Sequence, residues 1–443
     1  MADRRFHLQY GKGTLSFQIP ESQVLYELNG KEYAPLPDLG KAYREALEKP
    51  FDSPPLREIV RPGEKVVVTV SDITRGWQRN DRVLPVLLET LNEAGVPDAN
   101  ITILIVVGAH RLNTEAEFVE LCGKEVCHRV RVVNHDCWDE KNMVYLGKTS
   151  RGTEVSVNRI AREVDKLILT GGVIYHYMAG YGGGRKSVLP GLSSIKTIRQ
   201  NHLWAMGPAL GSGSNPRAAS GRTQRNELHE DMMEIAGFVK PDFIVNTVPN
   251  LNGEIAGVFA GNWVSAWTEA TKLVDEIFGV EIEEKADIVI ATAGGYPKDI
   301  NLYQTGKTMD NACYAMKRGG VAIILSECPD ITEPREFFQW LEYPSALELE
   351  KALRENFTIA GWVALKEVEC NGHGPFVLLT RQENFAFIRQ TPFTMVSSME
   401  EALRVACEQC GTQNPKVTVM PQGANTLPVL RKRNASTGKI IEI

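Results

Sequence analysis

The stretch VDKLILTGGVIYHYMAGYGGGRK, at residues 164–186, is a run of apolar residues that leads directly into a glycine-rich loop. An unbroken Val, Ile and Leu run is typical of a strand buried on both faces of a parallel sheet. The loop differs from a phosphate-binding loop because Arg185 stands where that motif requires glycine directly before the lysine. The stretch therefore predicts an α/β fold and leaves the role of Lys186 to be explained.

The same alternation of strands and helices extends in both directions from this stretch. Strands are predicted at residues 65–72, 100–111, 128–139, 164–176, 240–250, 287–299, 319–328 and 414–430. Helices are predicted at residues 81–95, 114–126, 263–279, 302–317, 345–356 and 398–411. We expect two α/β domains with mostly parallel sheets and the active site in the cleft between them. The predicted boundaries are 1–262 for the first domain and 263–414 for the second, and residues 415–443 either close the second domain or return to the first.

Composition excludes several classes of function. The chain has 443 residues, 43% of them hydrophobic, and a net charge of −6 with basic and acidic residues interleaved, so a nucleic-acid partner is not expected. No run approaches the roughly 18 apolar residues of a membrane span, and the first residues lack the apolar segment of a signal peptide. A cytoplasmic location is predicted, in which the eight cysteines are free thiols. Cys407 and Cys410 have metal-site spacing but fall in a helical pattern, which favours a structural role.

Polar residues of functional type follow four successive strands. Because the carboxyl ends of parallel strands meet at one edge of a sheet, ligands of open α/β sheets bind there. The strand-end residues are Asp72, Thr74, Arg75, His110, Arg111, His135, His176 and Lys186. Two histidines at one edge suit a pair of general acid/base groups, such as a racemase needs. Zinc hydrolysis is a rival interpretation if His110, His176 and His202 meet at a metal, and the sequence leaves this open.

Five separated motifs carry a family resemblance. They are SDITR at 71–75, GAHR at 108–111, the stretch from Gly171 to His202, NELHEDM at 226–232 and GGYPKDINLYQTGKTMDNA at 294–312. Together they resemble the lactate racemase family that uses a nickel-pincer nucleotide, and the likeness runs from about residue 10 to the end. The resemblance implies a nickel cofactor, pyridinium-3,5-bisthiocarboxylic acid mononucleotide, joined to Lys186 through a thioamide, with His202 as a nickel ligand. It also implies that cofactor-maturation enzymes act on this protein.

The resemblance also assigns roles around the reaction. His110 and His176 resemble the two bases of a proton-coupled hydride transfer that passes through a 2-keto acid. Asp72 and Thr74 would bind the cofactor near its phosphate. The substrate, a small 2-hydroxy acid, would be bound by Arg75, Tyr303, Gln304 and Lys307.

The residues add three physical points to this assignment. An amine must be uncharged to be acylated, and the charge of Arg185 is expected to lower the pKa of Lys186. An imidazole nitrogen together with soft sulfur donors suits Ni(II). Trp362 would offer an apolar wall that favours a short or aromatic substituent on the substrate.

Two other classes of function stay open at this point. A P-loop phosphotransferase would bind ATP through the glycine-rich loop, although Arg185 weighs against it. A non-catalytic protein that binds an organic acid would use the same residues without needing two bases. The identity of the 2-hydroxy acid and the oligomeric state are not predicted.

Overall fold

The computed structural model describes residues 2–433 and 440–442. Its strands are β1 (Asp3–Tyr10), β2 (Gly13–Pro20), β3 (Val24–Glu27), β4 (Val66–Ser71), β5 (Ile101–Val106), β6 (Arg131–Asn134), β7 (Met143–Lys148), β8 (Glu154–Asn158), β9 (Lys166–Gly172), β10 (Tyr175–His176), β11 (Gly180–Tyr181), β12 (Phe243–Pro249), β13 (Ile255–Gly261), β14 (Gly279–Ile282), β15 (Ala286–Thr292), β16 (Met316–Leu325), β17 (Phe376–Leu379), β18 (Thr394–Val396), β19 (Val417–Met420), β20 (Leu427–Arg433) and β21 (Ile440–Glu442).

The helices of the described residues alternate with these strands. They are α1 (Leu39–Glu48), α2 (Leu56–Ile59), α3 (Asn80–Glu93), α4 (Glu115–Cys122), α5 (Lys124–Arg129), α6 (Arg159–Arg162), α7 (Ile195–His202), α8 (Glu227–Val239), α9 (Ser265–Phe278), α10 (Leu302–Ala315), α11 (Arg335–Phe338), α12 (Ala346–Glu355), α13 (Ile359–His373) and α14 (Met399–Cys410).

The chain divides into two compact units. The first unit consists of Glu32–Ala205 and Pro216–Ile277, and the second consists of the N-terminal segment up to Lys31, Met206–Asn215 and the chain from Phe278 onward. Each unit has its own six-stranded sheet. The predicted fold class, α/β with mostly parallel sheets in two domains, is confirmed.

The sheet of the first unit has the order β13-β12-β9-β4-β5-β6. Strands β4, β5, β6, β9 and β12 are parallel, and β13 runs antiparallel beside β12. The chain moves outward from β4 through β5 to β6, then returns to β9 on the other side of β4 and continues to β12. Neighbouring strands β4 and β9 therefore flank the point where the strand order reverses.

The second unit contains an entirely parallel sheet in the order β18-β17-β16-β15-β19-β3. The β1–β2 hairpin covers part of this unit's core with an alternating apolar face. The residues of that face are Phe6, Leu8, Phe17 and Ile19. A small separate sheet has the order β14-β20-β21.

The domain boundaries predicted from the sequence differ from these units at three places, residues 1–31, 206–215 and 263–277. Residues 1–31, expected in the first domain, belong to the second unit because β3 pairs with β19 and the hairpin packs into its core. The strand at Val417–Met420, whose destination was open, pairs with β15 in the second sheet. The predicted helix at 114–126 is two helices, since Gly123, with φ of 86°, interrupts it.

The predictions about the cysteines and about membrane spans can also be compared with the described residues. All eight cysteines are free thiols, and four of them are buried. Cys407 and Cys410 lie in α14, as the helical pattern indicated. No described helix is both long and apolar enough to span a bilayer.

Candidate active site

The reversal point of the first sheet collects most of the predicted site residues. Asp72, Thr74 and Arg75 follow β4, and the loop that contains His176 and Lys186 follows β9. In open α/β sheets the loops diverge at this point and leave a crevice beyond the strand ends. The first sheet thus offers a ligand site where the sequence motifs are densest.

Asp72 is the link between two of these loops. Its carboxylate, 6% exposed, accepts hydrogen bonds from the backbone N–H of Thr74 at 2.8 Å and from the Thr74 hydroxyl. Its other oxygen lies 3.0 Å from Nδ1 of His110. Burial alone would raise the pKa of Asp72, but the hydrogen bonds and charge of His110, with the donors of Thr74, lower it to about 2. Since an ionised carboxylate only accepts, His110 donates from Nδ1, and in the neutral form of the ring the lone pair is on Nε2.

Asp72→Asn is expected to lower kcat by roughly 10²–10⁴-fold, as removal of an orienting carboxylate does elsewhere. If the asparagine amide donates to His110, it selects the tautomer with its proton on Nε2, which leaves no lone pair on that nitrogen. Nitrogen-15 NMR of His110 checks the tautomer directly. Unchanged kcat in Asp72→Asn would contradict the orienting role.

The lowered pKa of Asp72 also makes the stability of the protein depend on pH. Because the pKa of Asp72 lies below its usual 3.8, the contribution of its ionised form to stability is present above pH 3.8 and is lost as pH falls through about 2.

The glycine-rich loop after β9 folds inward on itself. Four backbone amides in residues 181–186 donate to protein acceptors: Tyr181 to Ala179, Gly182 to Ile174, Gly184 to the Asn246 side chain and Lys186 to Gly183. A phosphate-binding loop aims such amides at its ligand. This arrangement argues against the P-loop interpretation.

Two glycines of this loop are required by protein packing. Gly183 and Gly184 have φ of 60° and 55°, a region that favours glycine. A Cβ on Gly184 would lie 2.5 Å from Cδ1 of Trp267, and one on Gly183 would lie 2.7 Å from Cγ2 of Val173. The glycines therefore permit the loop to pack closely against the first unit.

Lys186 and His176 contact each other across the loop. Nζ of Lys186 lies 3.2 Å from Nε2 of His176, and Nδ1 of His176 accepts the N–H groups of Met178 and Ala179, each at 3.2 Å. Because Nδ1 accepts, a neutral His176 carries its proton on Nε2 and donates it to an uncharged Lys186 amine.

The electrostatics of Lys186 agree with this hydrogen-bond pattern. Burial, followed by the positive charges of Arg185 and Arg75, lowers its pKa to about 7. The expectation that Arg185 depresses this pKa is confirmed, although burial is the larger cause. The lowered pKa makes the uncharged, nucleophilic form of an amine accessible near neutral pH.

His202 ends helix α7 and is 3% exposed. Its Nδ1 donates to the carbonyl oxygen of Ile198 at 2.8 Å, one helical turn earlier. Burial and then the charge of Lys186 lower its pKa to about 4, so the ring is neutral. The carbonyl fixes the tautomer in which Nε2 has the lone pair, as is usual for histidines that bind metals.

Comparisons with known proteins show the family of this chain. Residues 10–213 match the model of the lactate racemase N-terminal domain, and residues 282–427 match the lactate racemase C-terminal domain. A lactate racemase of Thermoanaerobacterium thermosaccharolyticum is 30% identical over 427 residues, which cover 95% of this chain and 98% of the relative. The chain belongs to the lactate racemase family.

Further matches are consistent with this family. A lactate racemase of Lactiplantibacillus plantarum is 30% identical over 436 residues, covering 95% of this chain and 98% of the relative. The structure of the lactate racemase apoprotein from T. thermosaccharolyticum has a TM-score of 0.86, with 29% identity over 96% of this chain and 100% of its own. A protein from Thermotoga maritima, 18% identical with a TM-score of 0.65 over 90% of this chain and 100% of its own, shares the fold. Members of the lactate racemase family are isomerases, and the prediction of an isomerase is confirmed.

His135 has a structural role in this lactate racemase family member. It is fully buried, its Nε2 lies 3.0 Å from the carbonyl oxygen of Ser193, and its Nδ1 lies 3.0 Å from the Asn158 amide. Both ring nitrogens of His135 therefore have hydrogen-bond partners within the protein.

The zinc interpretation requires several protein ligands at one place. No group of three or more described His, Cys, Asp or Glu side chains is placed to hold a metal ion, so the geometry does not support an all-protein zinc site.

The remaining predicted residues lie in the second unit. Tyr303, Gln304 and Lys307 occupy the first turns of α10, where Asn301 caps the helix by accepting from the Gln304 N–H at 2.9 Å. The Tyr303 ring packs edge-on against Phe337, with centroids 5.4 Å apart.

Two tryptophans have surroundings that motif spacing alone does not predict. Trp362, predicted as a wall of the substrate site, is fully buried in α13, so it contributes to the core of the second unit. Trp267 had no predicted role beyond the apolar face of α9. Its indole N–H donates to Gly182 at 2.9 Å, and His229 stacks on its ring at 5.4 Å. A helical pattern identifies such a residue as buried but does not show which loop it holds.

Proposed function

We propose that this protein interconverts the enantiomers of a small 2-hydroxy acid, with lactate as the first substrate to test because the curated relatives are named for it. The observation that carries the proposal is the contact between Lys186 and His176, in which an amine with a lowered pKa lies beside an imidazole at the reversal point of a parallel sheet. The family resemblance assigns cofactor attachment to that lysine and proton transfer to that histidine.

The two histidines have complementary roles in this proposal. His110 presents a lone pair at Nε2 because Asp72 holds the proton on Nδ1, and it is set to accept the substrate hydroxyl proton. His176 presents an N–H at Nε2 because two backbone amides occupy Nδ1. In this state Nε2 of His110 can accept the hydroxyl proton of one enantiomer, and Nε2–H of His176 faces the same oxygen as a donor. For the opposite enantiomer Nε2 of His176 must accept, which requires its proton to move to Nδ1 in place of the hydrogen bonds from Met178 and Ala179.

The residues present fit a covalently attached nickel-pincer nucleotide. Lys186 supplies a nucleophilic amine for attachment, and His202 supplies an imidazole nitrogen whose tautomer is fixed for a metal. When bound, this group would accept the Cα hydrogen of the substrate as hydride and return it. The protein would orient the substrate, exclude water and move the hydroxyl proton.

Acylation of Lys186 also changes its contact with His176. An amine nitrogen accepts the Nε2–H of His176, whereas the nitrogen of a thioamide has a delocalised lone pair and is itself a donor. Attachment therefore removes the acceptor that His176 has in the apoprotein. The Nε2–H of His176 is then available to the substrate oxygen.

Substrate and phosphate contacts complete the assignment. Arg75 is proposed to bind the substrate carboxylate, a group that its guanidinium matches in two parallel hydrogen bonds. Tyr303, Gln304 and Lys307 are proposed as further substrate contacts on the family resemblance alone. Thr74 remains a proposed contact of the nucleotide phosphate on the family resemblance alone, since its N–H and hydroxyl both donate to Asp72 in this structure. Asp72, an anion hydrogen-bonded to His110, is better suited to orienting that histidine.

His202→Ala is expected to lower nickel occupancy by removing one ligand, with partial retention by the other donors of the cofactor. Metal analysis against protein concentration measures the change, and the intact mass shows whether the adduct on Lys186 still forms. His128→Ala, which removes an exposed histidine of α5, is the control. Full nickel occupancy with unchanged turnover would assign His202 a structural role instead.

The experiment that tests the proposed function combines intact mass with metal analysis. Protein produced with the cofactor-maturation enzymes should carry one adduct and nickel, whereas protein produced without them should carry neither. An organic-acid-binding protein would show neither in both preparations, and that result would overturn the proposal. We place these events in the cytoplasm, which the eight free thiols support.

A further inference from the structure

Arg185 is a buried charge with an unusual set of partners. Its side chain is 0% exposed, and its guanidinium donates to the carbonyl oxygens of Ala179 at 2.6 Å, Tyr181 at 2.9 Å and Gly182 at 3.4 Å. Its Cζ lies 4.4 Å from the centre of the Trp267 ring. Carbonyl dipoles and an aromatic face, rather than a carboxylate of the described residues, thus stabilise the charge.

This arrangement is costly for folding. Burial lowers the pKa of Arg185 to about 9, which reflects the loss of hydration around the charge. An apolar side chain of similar volume would avoid that loss. Stability alone therefore does not account for an arginine at this position.

The carbonyls that Arg185 binds belong to one segment of chain, residues 177–184, which connects His176 to Lys186. The guanidinium is planar and its donors have a fixed geometry, so the bound carbonyls are fixed relative to one another. Trp267 holds the same segment through its N–H bond to Gly182 at 2.9 Å. At the two ends of this segment Nε2 of His176 and Nζ of Lys186 are 3.2 Å apart.

We infer that Arg185 is a positioning residue, which holds the loop from inside and so sets the distance between the anchor Lys186 and the proton-transferring His176. The inference rests on the proposed function of those two residues. It explains why an arginine stands where a phosphate-binding loop has glycine: the loop is closed around a side chain of the protein instead of around a phosphate.

Two substitutions test the geometry. Arg185→Lys keeps a cation but loses the planar fork, and Arg185→Met loses both. A displacement of about 1 Å costs on the order of 10²-fold in rate, so we expect kcat per adduct-carrying chain to fall by about that factor in each, with KM changed less than about twofold. Arg354→Met is the matched control, because Arg354 on α12 also donates to two loop carbonyls, those of Gly207 and Ala209. It should leave kcat per adduct-carrying chain unchanged.

A second readout needs no cofactor. Trace acetic anhydride is applied to the apoprotein between pH 6 and pH 11, and acetylation of Lys186 is measured by peptide mass relative to the exposed Lys41. We expect Lys186 of the unsubstituted protein to be acetylated at pH 7 far faster than Lys41. In Arg185→Met the rate at pH 7 should fall several-fold, because one repelling charge is removed and the amine titrates at higher pH.

The outcomes separate this inference from the proposed function. An Arg185 that only stabilises the fold would lower the yield of folded protein but leave kcat per adduct-carrying chain unchanged, and that result would overturn the inference. Absence of any adduct from the unsubstituted protein would instead contradict the proposed function. If neither Arg185 variant folds, Trp267→Phe is the substitute: it removes the N–H bond to Gly182 and keeps an aromatic ring beside Arg185. It should lower kcat per adduct-carrying chain at least about fivefold. An unchanged value in that variant would also overturn the inference.

Discussion

We expect Lys186→Ala to abolish the cofactor adduct and to lower the racemase activity by more than about 10⁴-fold. The reason is chemical, because the amide-type bond forms at Nζ and alanine offers no nitrogen. The fold should persist, since Nζ has one side-chain hydrogen bond in the described structure, to His176. Intact mass, nickel content and racemisation are measured on protein produced with the maturation enzymes.

Two controls sharpen this comparison. Lys186→Arg keeps a positive charge, but a guanidinium is not acylated under these conditions, so it should fail as alanine does. Lys196→Ala removes an exposed lysine of α7 that pairs with Glu154, and it should retain both adduct and activity. A normal adduct mass on Lys186→Ala would assign the attachment to another residue.

His110→Ala and His176→Ala are each expected to lower turnover by about 10²–10⁴-fold, the range typical for loss of a positioned acid or base. Enantiomers have equal free energies, so kcat/KM for the two directions stays equal in any variant. Steady-state measurements therefore show how far turnover falls in each variant. The ratio of kcat/KM for the two enantiomers does not show which histidine serves which enantiomer.

A single-turnover measurement assigns each histidine to one enantiomer. Stoichiometric enzyme is mixed with one pure enantiomer, and the 2-keto acid formed is trapped chemically. Each variant should form the keto acid at a reduced rate from one enantiomer only, and the two variants should differ in which one. Equal rates from both enantiomers in both variants would contradict a two-base site, and His128→Ala controls for loss of an unrelated imidazole.

The alternation of strands and helices could be predicted because it depends on local periodicity. The runs at β4, β5 and β9 are apolar enough to be buried on both faces, and the structure buries them. The placement of β3 beside β19 could not be predicted, because this pair joins segments from opposite ends of the chain. A short strand such as Val24–Glu27 has no local signal for its partner.

In the candidate site, too, some features could be predicted from the sequence and others could not. The sequence placed Asp72 and His110 at one edge of the sheet, since both follow parallel strands. Their hydrogen bond depends on how far each loop extends beyond its strand, which periodicity does not give. The burial of Arg185 could not be predicted either, because its partners include Trp267, which is 82 residues further along the chain.

The most direct test of the central claim uses lactate that carries deuterium at Cα. Holoenzyme is given each pure enantiomer in ordinary water, and both chirality and deuterium content are followed over time. The account predicts that either enantiomer becomes a racemic mixture with the deuterium kept at Cα, because hydride held within the site does not exchange with water. Complete loss of deuterium during inversion would show direct deprotonation at Cα. No inversion by protein that carries both adduct and nickel would contradict lactate as the substrate.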